Sequence, residues 1–410
     1  MMTNQKFSLQ FWVRFSLLNL VLVALLGTLM RYKIAFSLPW IDQKNLLHAH
    51  SHFAFAGWVS LALSAAMIAT LPPEISGKSF YKWLLGLTNL TAYGMLLSFA
   101  VQGYGAVSIP FATLSLVLGF VFAGRFARDL RAAPPSPARP WFYAALLFLV
   151  VSAGGTASLV QMMASGHMDQ HRYLASLYWY LHFQYNGWFL FGCIGLLVGY
   201  LHQKISGFQL PRGIFWAFAG AAIPAYGLSV LWAHLPVIIY GIIVLAALTQ
   251  TSAWIWLLRR IYKPVAQLTS NDVMARNLMI YVAAAFSIKT TLQLFSVIPQ
   301  MSKLAFGFRP VVIAYLHLSL LAVTSVFLVG YFYLKGCTKQ SRWTIQMIVL
   351  FLVAVFLNEL VLGVQGVASF MYFPVPYINE MLLIVAALLF VSAAGIFLGS
   401  KSKQIMQDDF

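Results

Sequence analysis

Residues 344–366 read TIQMIVLFLVAVFLNELVLGVQG, and this stretch decides the fold. Glu359 is its only ionisable residue, and the run matches the ~20 residues a helix needs to cross a bilayer. The apolar residues are continuous rather than alternating, which argues against the strands of a membrane barrel. Backbone groups in lipid must be satisfied within the segment, which leaves the helix. The same pattern recurs at 11–31, 50–71, 81–102, 106–124, 141–164, 174–201, 213–233, 236–258, 276–298, 311–335 and 379–399. The expectation is an all-α integral membrane protein with twelve transmembrane helices.

Composition points the same way. The 410-residue chain is 61% hydrophobic and 9% charged, whereas soluble domains carry about 25% charged residues. The links are short and hold the Pro, Gly and charge, as in LPPEISGKS (71–79) and RAAPPSPARP (131–140). None has room for a soluble module, so 1–410 reads as a single membrane domain. The first apolar run lacks a small-residue cleavage site and reads as a span, not a removed signal peptide.

The net charge of +17 is mainly a topology signal. Nineteen of the 26 Lys and Arg residues fall on one side of the spans, six on the other, and Lys289 within a span. The richer side is cytoplasmic, which puts both termini there, in an inner (cytoplasmic) membrane. The expected surroundings are the bilayer and its anionic lipids. Nucleic acid is not an expected partner, because the charges are strung across separate links. Cys193 lies in a span and Cys337 at a cytoplasmic helix end, so neither a disulfide nor a cysteine metal site is expected.

Histidine breaks the apolar pattern most often. His48, His50 and His52 open the second span, His182 lies in the sixth, His234 ends the seventh and His317 lies in the tenth, all toward the outer face. His167 and His171 sit in the outer link before the sixth span, and only His202 is cytoplasmic. Each imidazole can simply be hydrogen-bonded. Four helices bringing histidine to one layer instead points to a metal or haem site, since imidazole is the commonest metal ligand. Lys289 and Glu359 are the two intramembrane charges that stand out. They read either as a buried ion pair or as proton-relay groups, Glu359 lying beside Asn358.

Four local sequences carry a resemblance. HFAFAGWVSLALSAAMIATLPPE (52–74), WYLHFQYNGWF (179–189), VLWAHLP (230–236) and VIAYLHLSL (312–320) resemble the ligand-bearing stretches of the haem-copper oxidase superfamily. These are the catalytic subunits of oxygen and nitric oxide reductases. The resemblance implies a twelve-helix bundle holding haem, b-type here, with copper as a further candidate cofactor. It implies that His52 and His317 are the low-spin haem ligands, with His50 and His48 as competitors for the former. His182 and His234 match copper ligands. The chain also departs from the family. Leu235 stands where a second adjacent histidine is usual, Tyr315 at the high-spin haem ligand, and Asn186 at a functional glutamate or tyrosine, with Tyr185 one place earlier. The usual propionate-binding arginines are missing from the last link, for which Arg309, Lys303 or Arg172 are substitutes. No CxxCH motif is present, so covalent haem is not expected.

These departures leave three expectations open. One is a reductase of oxygen or nitric oxide, fed by cytochrome c or quinol, using His182, His234, Tyr315 and Tyr185, with Lys289 and Glu359 moving protons. Another is a haem protein that binds nitric oxide or relays electrons. Twelve-helix haem-and-copper proteins of nitric oxide stress resemble the chain loosely, through HAH (48–50). The third is a transporter in which the histidines are structural.

Overall fold

A computed structural model describes residues 7–76, 79–233, 235–302 and 308–401. His234 and Lys303, both site candidates, lie outside the described residues, as do Lys6, Lys78 and Lys403 of the charge pattern.

The long helices are α1 (Leu9–Ala35), α2 (Gln43–Ile68), α3 (Ser79–Gln102), α4 (Ser108–Ala132), α5 (Arg139–Ser165), α6 (170–204), α7 (Arg212–Ala222 continued by Pro224–Val230), α8 (Val237–Leu268), α9 (Val273–Phe295), α10 (Arg309–Leu334), α11 (Arg342–Phe370) and α12 (Ile378–Leu398). Ten of these are long and apolar enough to cross a membrane, and the two pieces of α7, bent by 41°, give an eleventh if taken as one span. Helix α6 has the length of a span, but Tyr178, Tyr180, His182, Gln184 and Asn186 dilute its apolar run. Large apolar side chains point outward, among them Val101 (83% exposed) and Val237 (86%). Such surface is costly in water and suits lipid.

The few acids have structural work at helix starts. Asp42, Asp169 and Asp272 accept from the backbone N–H of Asn45 (2.8 Å), Arg172 (2.6 Å) and Ala275 (3.0 Å), capping α2, α6 and α9. The Asp42 cap starts α2 at Gln43, earlier than the apolar run at 50 suggests. The three histidines therefore sit well inside the helix instead of opening it.

The chain forms two compact units. One comprises 1–122, 328–361 and 375–410, and the other 123–327 and 362–374. In the first, α1 packs along α12 and against α2, and α2 packs on α3. Thr28 Oγ1 donates to the Ala386 carbonyl at 3.0 Å, tying α1 to α12. In the second, α5 packs on α6, α7 on α8, and α8 on α9. Gly155 lets α5 and α6 approach closely: a Cβ there would collide with the Ser176 carbonyl oxygen and lie 2.8 Å from the Tyr180 nitrogen. Small residues serve this purpose where two helices meet in lipid.

Candidate functional site

Three helices change their winding within two residues after a histidine. Helix α2 becomes a π-helix over Ala54–Ser60, just past His52. Helix α6 does so over Phe183–Phe189, from the residue after His182. Helix α10 does so over Leu318–Ser325, from the residue after His317. A π segment is wider than an α turn, strains its hydrogen bonds and is found mostly at functional sites.

In the first unit, helical spacing splits the three α2 histidines. His48 and His52, four residues apart, share one face, and His50 points elsewhere. His52 stacks on Phe99 of α3 (centroids 4.3 Å apart, 8° between planes), and its Nε2 is 3.0 Å from the Tyr104 hydroxyl. The His48 ring meets Tyr104 edge-on at 4.7 Å, and its buried Nε2 has no hydrogen-bond partner among the described residues. His50 turns toward α1, where its Nδ1 donates to the Val23 carbonyl at 3.1 Å, and Gly27 leaves room for the ring.

The widened part of α2 has its own support. Asn19, fully buried on α1, donates to the Gly57 carbonyl inside the π segment at 2.6 Å and to Asn89 Oδ1 at 2.8 Å. The Tyr93 hydroxyl donates back to Asn19 Oδ1 at 2.9 Å. An asparagine inside an apolar run is the sequence signal for this node, and a search for histidines and charges passes over it. Glu359 lies half-buried on α11, where Asn358 Nδ2 donates to its Oε1 at 3.2 Å.

The second unit brings more of the candidates together. The π segments of α6 and α10 touch, and the Tyr185 and Tyr315 rings meet edge-on at 6.2 Å. His182 is buried, with its Nε2 2.8 Å from the Ala222 carbonyl and its Nδ1 3.1 Å from Asn186 Nδ2. Lys289 of α9 reaches the same place. Its Nζ donates to Asn186 Oδ1 at 2.6 Å and to Gln293 Oε1 at 3.0 Å. The rings of Phe286 (5.2 Å), Tyr185 (6.0 Å) and Tyr315 (6.0 Å) surround that ammonium. Among the described residues the one ion pair is Arg125–Asp129 at 2.8 Å. The partners of Lys289 are thus amides and aromatic faces.

His317 donates from Nδ1 to the Ile313 carbonyl of its own helix at 2.9 Å. Arg309 stands in the first turn of α10. Arg172, the other described propionate candidate, is occupied by Ser158 (3.2 Å) and Gln161 (2.6 Å), which join α6 to α5.

The hydrogen bonds of the histidine rings bear on both haem and copper. An axial imidazole is oriented by a hydrogen bond from the ring nitrogen that does not bind the metal, commonly to a carbonyl. His50 and His317 each have such a carbonyl anchor. His182 differs, because both of its nitrogens are engaged within the protein. Among the described residues, no three His, Cys, Asp or Glu side chains converge as a metal-holding group.

In comparisons with known proteins, no family model and no curated protein matches the chain.

Proposed function

We propose that this chain is a haem-binding membrane redox protein of twelve spans, lying in the inner membrane with both ends in the cytoplasm. The observation that carries the reading is the π segment that begins within two residues after each of His52, His182 and His317. It is a costly departure from α geometry, repeated at the histidines singled out in the sequence. The Nδ1 anchors of His50 and His317 add to it. Each fixes its ring and makes the imidazole a better electron donor to iron. A bound b-type haem would supply one-electron transfer. The protein's part is to hold each candidate ligand ring, that of His50 by the Val23 carbonyl in the first unit and that of His317 by the Ile313 carbonyl in the second. Between the α2 candidates we favour His50 over His52, for its Nδ1 anchor on the Val23 carbonyl.

Within this reading, electron relay or nitric oxide binding is favoured over reduction of oxygen. The observation behind that preference is the engagement of both His182 nitrogens, which leaves no imidazole lone pair for a second metal. The electron donor would be a cytochrome c or a quinol.

The test is an absorption spectrum of the purified protein, oxidised and dithionite-reduced, with a pyridine haemochrome assay. The expected result is a sharp reduced α-band that His317→Ala removes. A colourless protein from haem-replete cells, or a spectrum unchanged in His317→Ala, would overturn the ligand assignment. Colourless protein would also return the transporter reading to first place.

A further inference from the structure

The copper centre implied by the family resemblance does not fit the side chains around His182, and the misfit has a definite form. A carbonyl can only accept a hydrogen bond, so the 2.8 Å contact to Ala222 places the proton of neutral His182 on Nε2. Its Nδ1 is then the acceptor, and Asn186 Nδ2 is the donor at 3.1 Å. This orients the Asn186 amide with Oδ1 turned away from the imidazole, where it accepts from Lys289 at 2.6 Å. Gln293 Oε1 takes a second hydrogen from the same nitrogen at 3.0 Å. The result is a line of hydrogen bonds with one direction: Lys289 to Asn186 to His182 to the Ala222 carbonyl. It joins α9, the π segment of α6 and α7. Every polar atom in the line is used, and His182 has no lone pair left for a metal.

The polar and aromatic groups seen around the Lys289 nitrogen among the described residues are electron-rich. Two amide oxygens and the faces of Phe286, Tyr185 and Tyr315 surround it. Such groups stabilise an ammonium, the aromatic faces most effectively where water is excluded. Lys289 is only 3% exposed, and no carboxylate pairs with it among the described residues. An ionisable side chain buried in a span is expensive to charge and marks a site.

We infer that the His182 site is built around a protein-borne cation, the Lys289 ammonium, which stands in place of a transition metal and closes the site to copper. A lysine can carry a positive charge but neither changes oxidation state nor leaves an open coordination position. The inference concerns His182 and Lys289 alone and does not rest on the haem reading.

The experiment is metal analysis of the full-length protein purified from cells grown with excess copper, in parallel with His182→Ala, with haem assayed separately. The expected result is substoichiometric copper, equal in the two proteins. Stoichiometric copper in the wild type, lost in His182→Ala, overturns the inference. The role of the cation is read from thermal unfolding. Lys289→Met should lower the midpoint, and Lys289→Arg should recover part of the loss. An unchanged midpoint in Lys289→Met would show that the ammonium does not organise the site. Should that variant fail to accumulate, Gln293→Met removes one of the two oxygens and should give a smaller shift in the same direction. A colourless, copper-free protein would sink the haem reading and leave this inference standing.

Discussion

The side-chain amide of Asn19 on α1 donates to the backbone carbonyl of Gly57 on α2 over 2.6 Å, inside a span and fully buried. The acceptor belongs to the π segment that follows His52. Removing the donor by Asn19→Ala leaves that carbonyl, Asn89 and the Tyr93 hydroxyl each short of a partner. An unsatisfied buried polar group costs about 1–3 kcal/mol. The expected outcome is a lower thermal midpoint, with loss of any signal that depends on the α2 histidines. An unchanged midpoint would mean that the π segment holds itself.

The three α2 histidines make separable predictions. His50→Ala should weaken the haem absorption, because the ring held by Val23 is removed. His52→Ala should leave the band in place and act mainly on packing, through loss of the stack on Phe99 and the contact with Tyr104. Parallel spectra of the two variants decide the matter. The reverse pattern would favour His52 as the ligand, and loss only in His48→Ala would assign the buried Nε2 of that residue, which has no hydrogen-bond partner among the described residues.

Two glycines should behave in opposite ways. At Gly155 a new side chain meets backbone atoms of α6, which cannot turn aside as a side chain can. Gly155→Val should therefore cost about 1–3 kcal/mol or more, the usual range for overpacking. At Gly86 of α3 an added methyl group would find nothing within 4 Å. Gly86→Ala should be neutral or stabilising by up to about 1 kcal/mol, from helix propensity. Thermal unfolding of the pair in one detergent tests both.

Cys337 lies in the link between α10 and α11, outside the spans. Burial pushes its thiol up to about 11, with Lys335 and Lys401 pulling the other way. The thiolate is the reactive form, so labelling of the folded protein by a maleimide should be slow near neutrality. It should rise about tenfold per pH unit until the thiol titrates. The Thr338–Ser400 bridge and the bond from the Lys401 N–H to the Cys337 carbonyl (3.0 Å) keep this link closed over the thiol. Cys193 is buried within α6, so denaturation in SDS should expose both cysteines at once. Rapid labelling at pH 7 without denaturant would show that the link opens.

Much of the molecule is legible in the sequence because lipid allows so little choice. A long apolar run such as 344–366 must be a helix, and α11 covers it. The caps at Asp42, Asp169 and Asp272 follow from local chemistry. The count of spans is less legible, since α6 carries the polar groups of a site and loses the apolar mark of a span. Histidines stand out as exceptions to the pattern, but the sequence leaves the order of His52 and His50 as ligands to tertiary contacts. That order depends on which neighbour each ring meets, and helical spacing alone does not say whether the neighbour is Tyr104 or Val23.

The sequence by itself determined that this is a helical membrane protein, and that polar groups gather near a few histidines. Both follow from the cost of placing backbone and charge in hydrocarbon, which composition and periodicity record. The tertiary structure decided how those groups are used. It turned both nitrogens of His182 inward, gave Lys289 two amide oxygens and three aromatic faces, and placed Asn19 under the π segment of α2. The partners in these contacts come from helices far apart in the chain. Their meeting depends on how helices pack, and no local pattern encodes that.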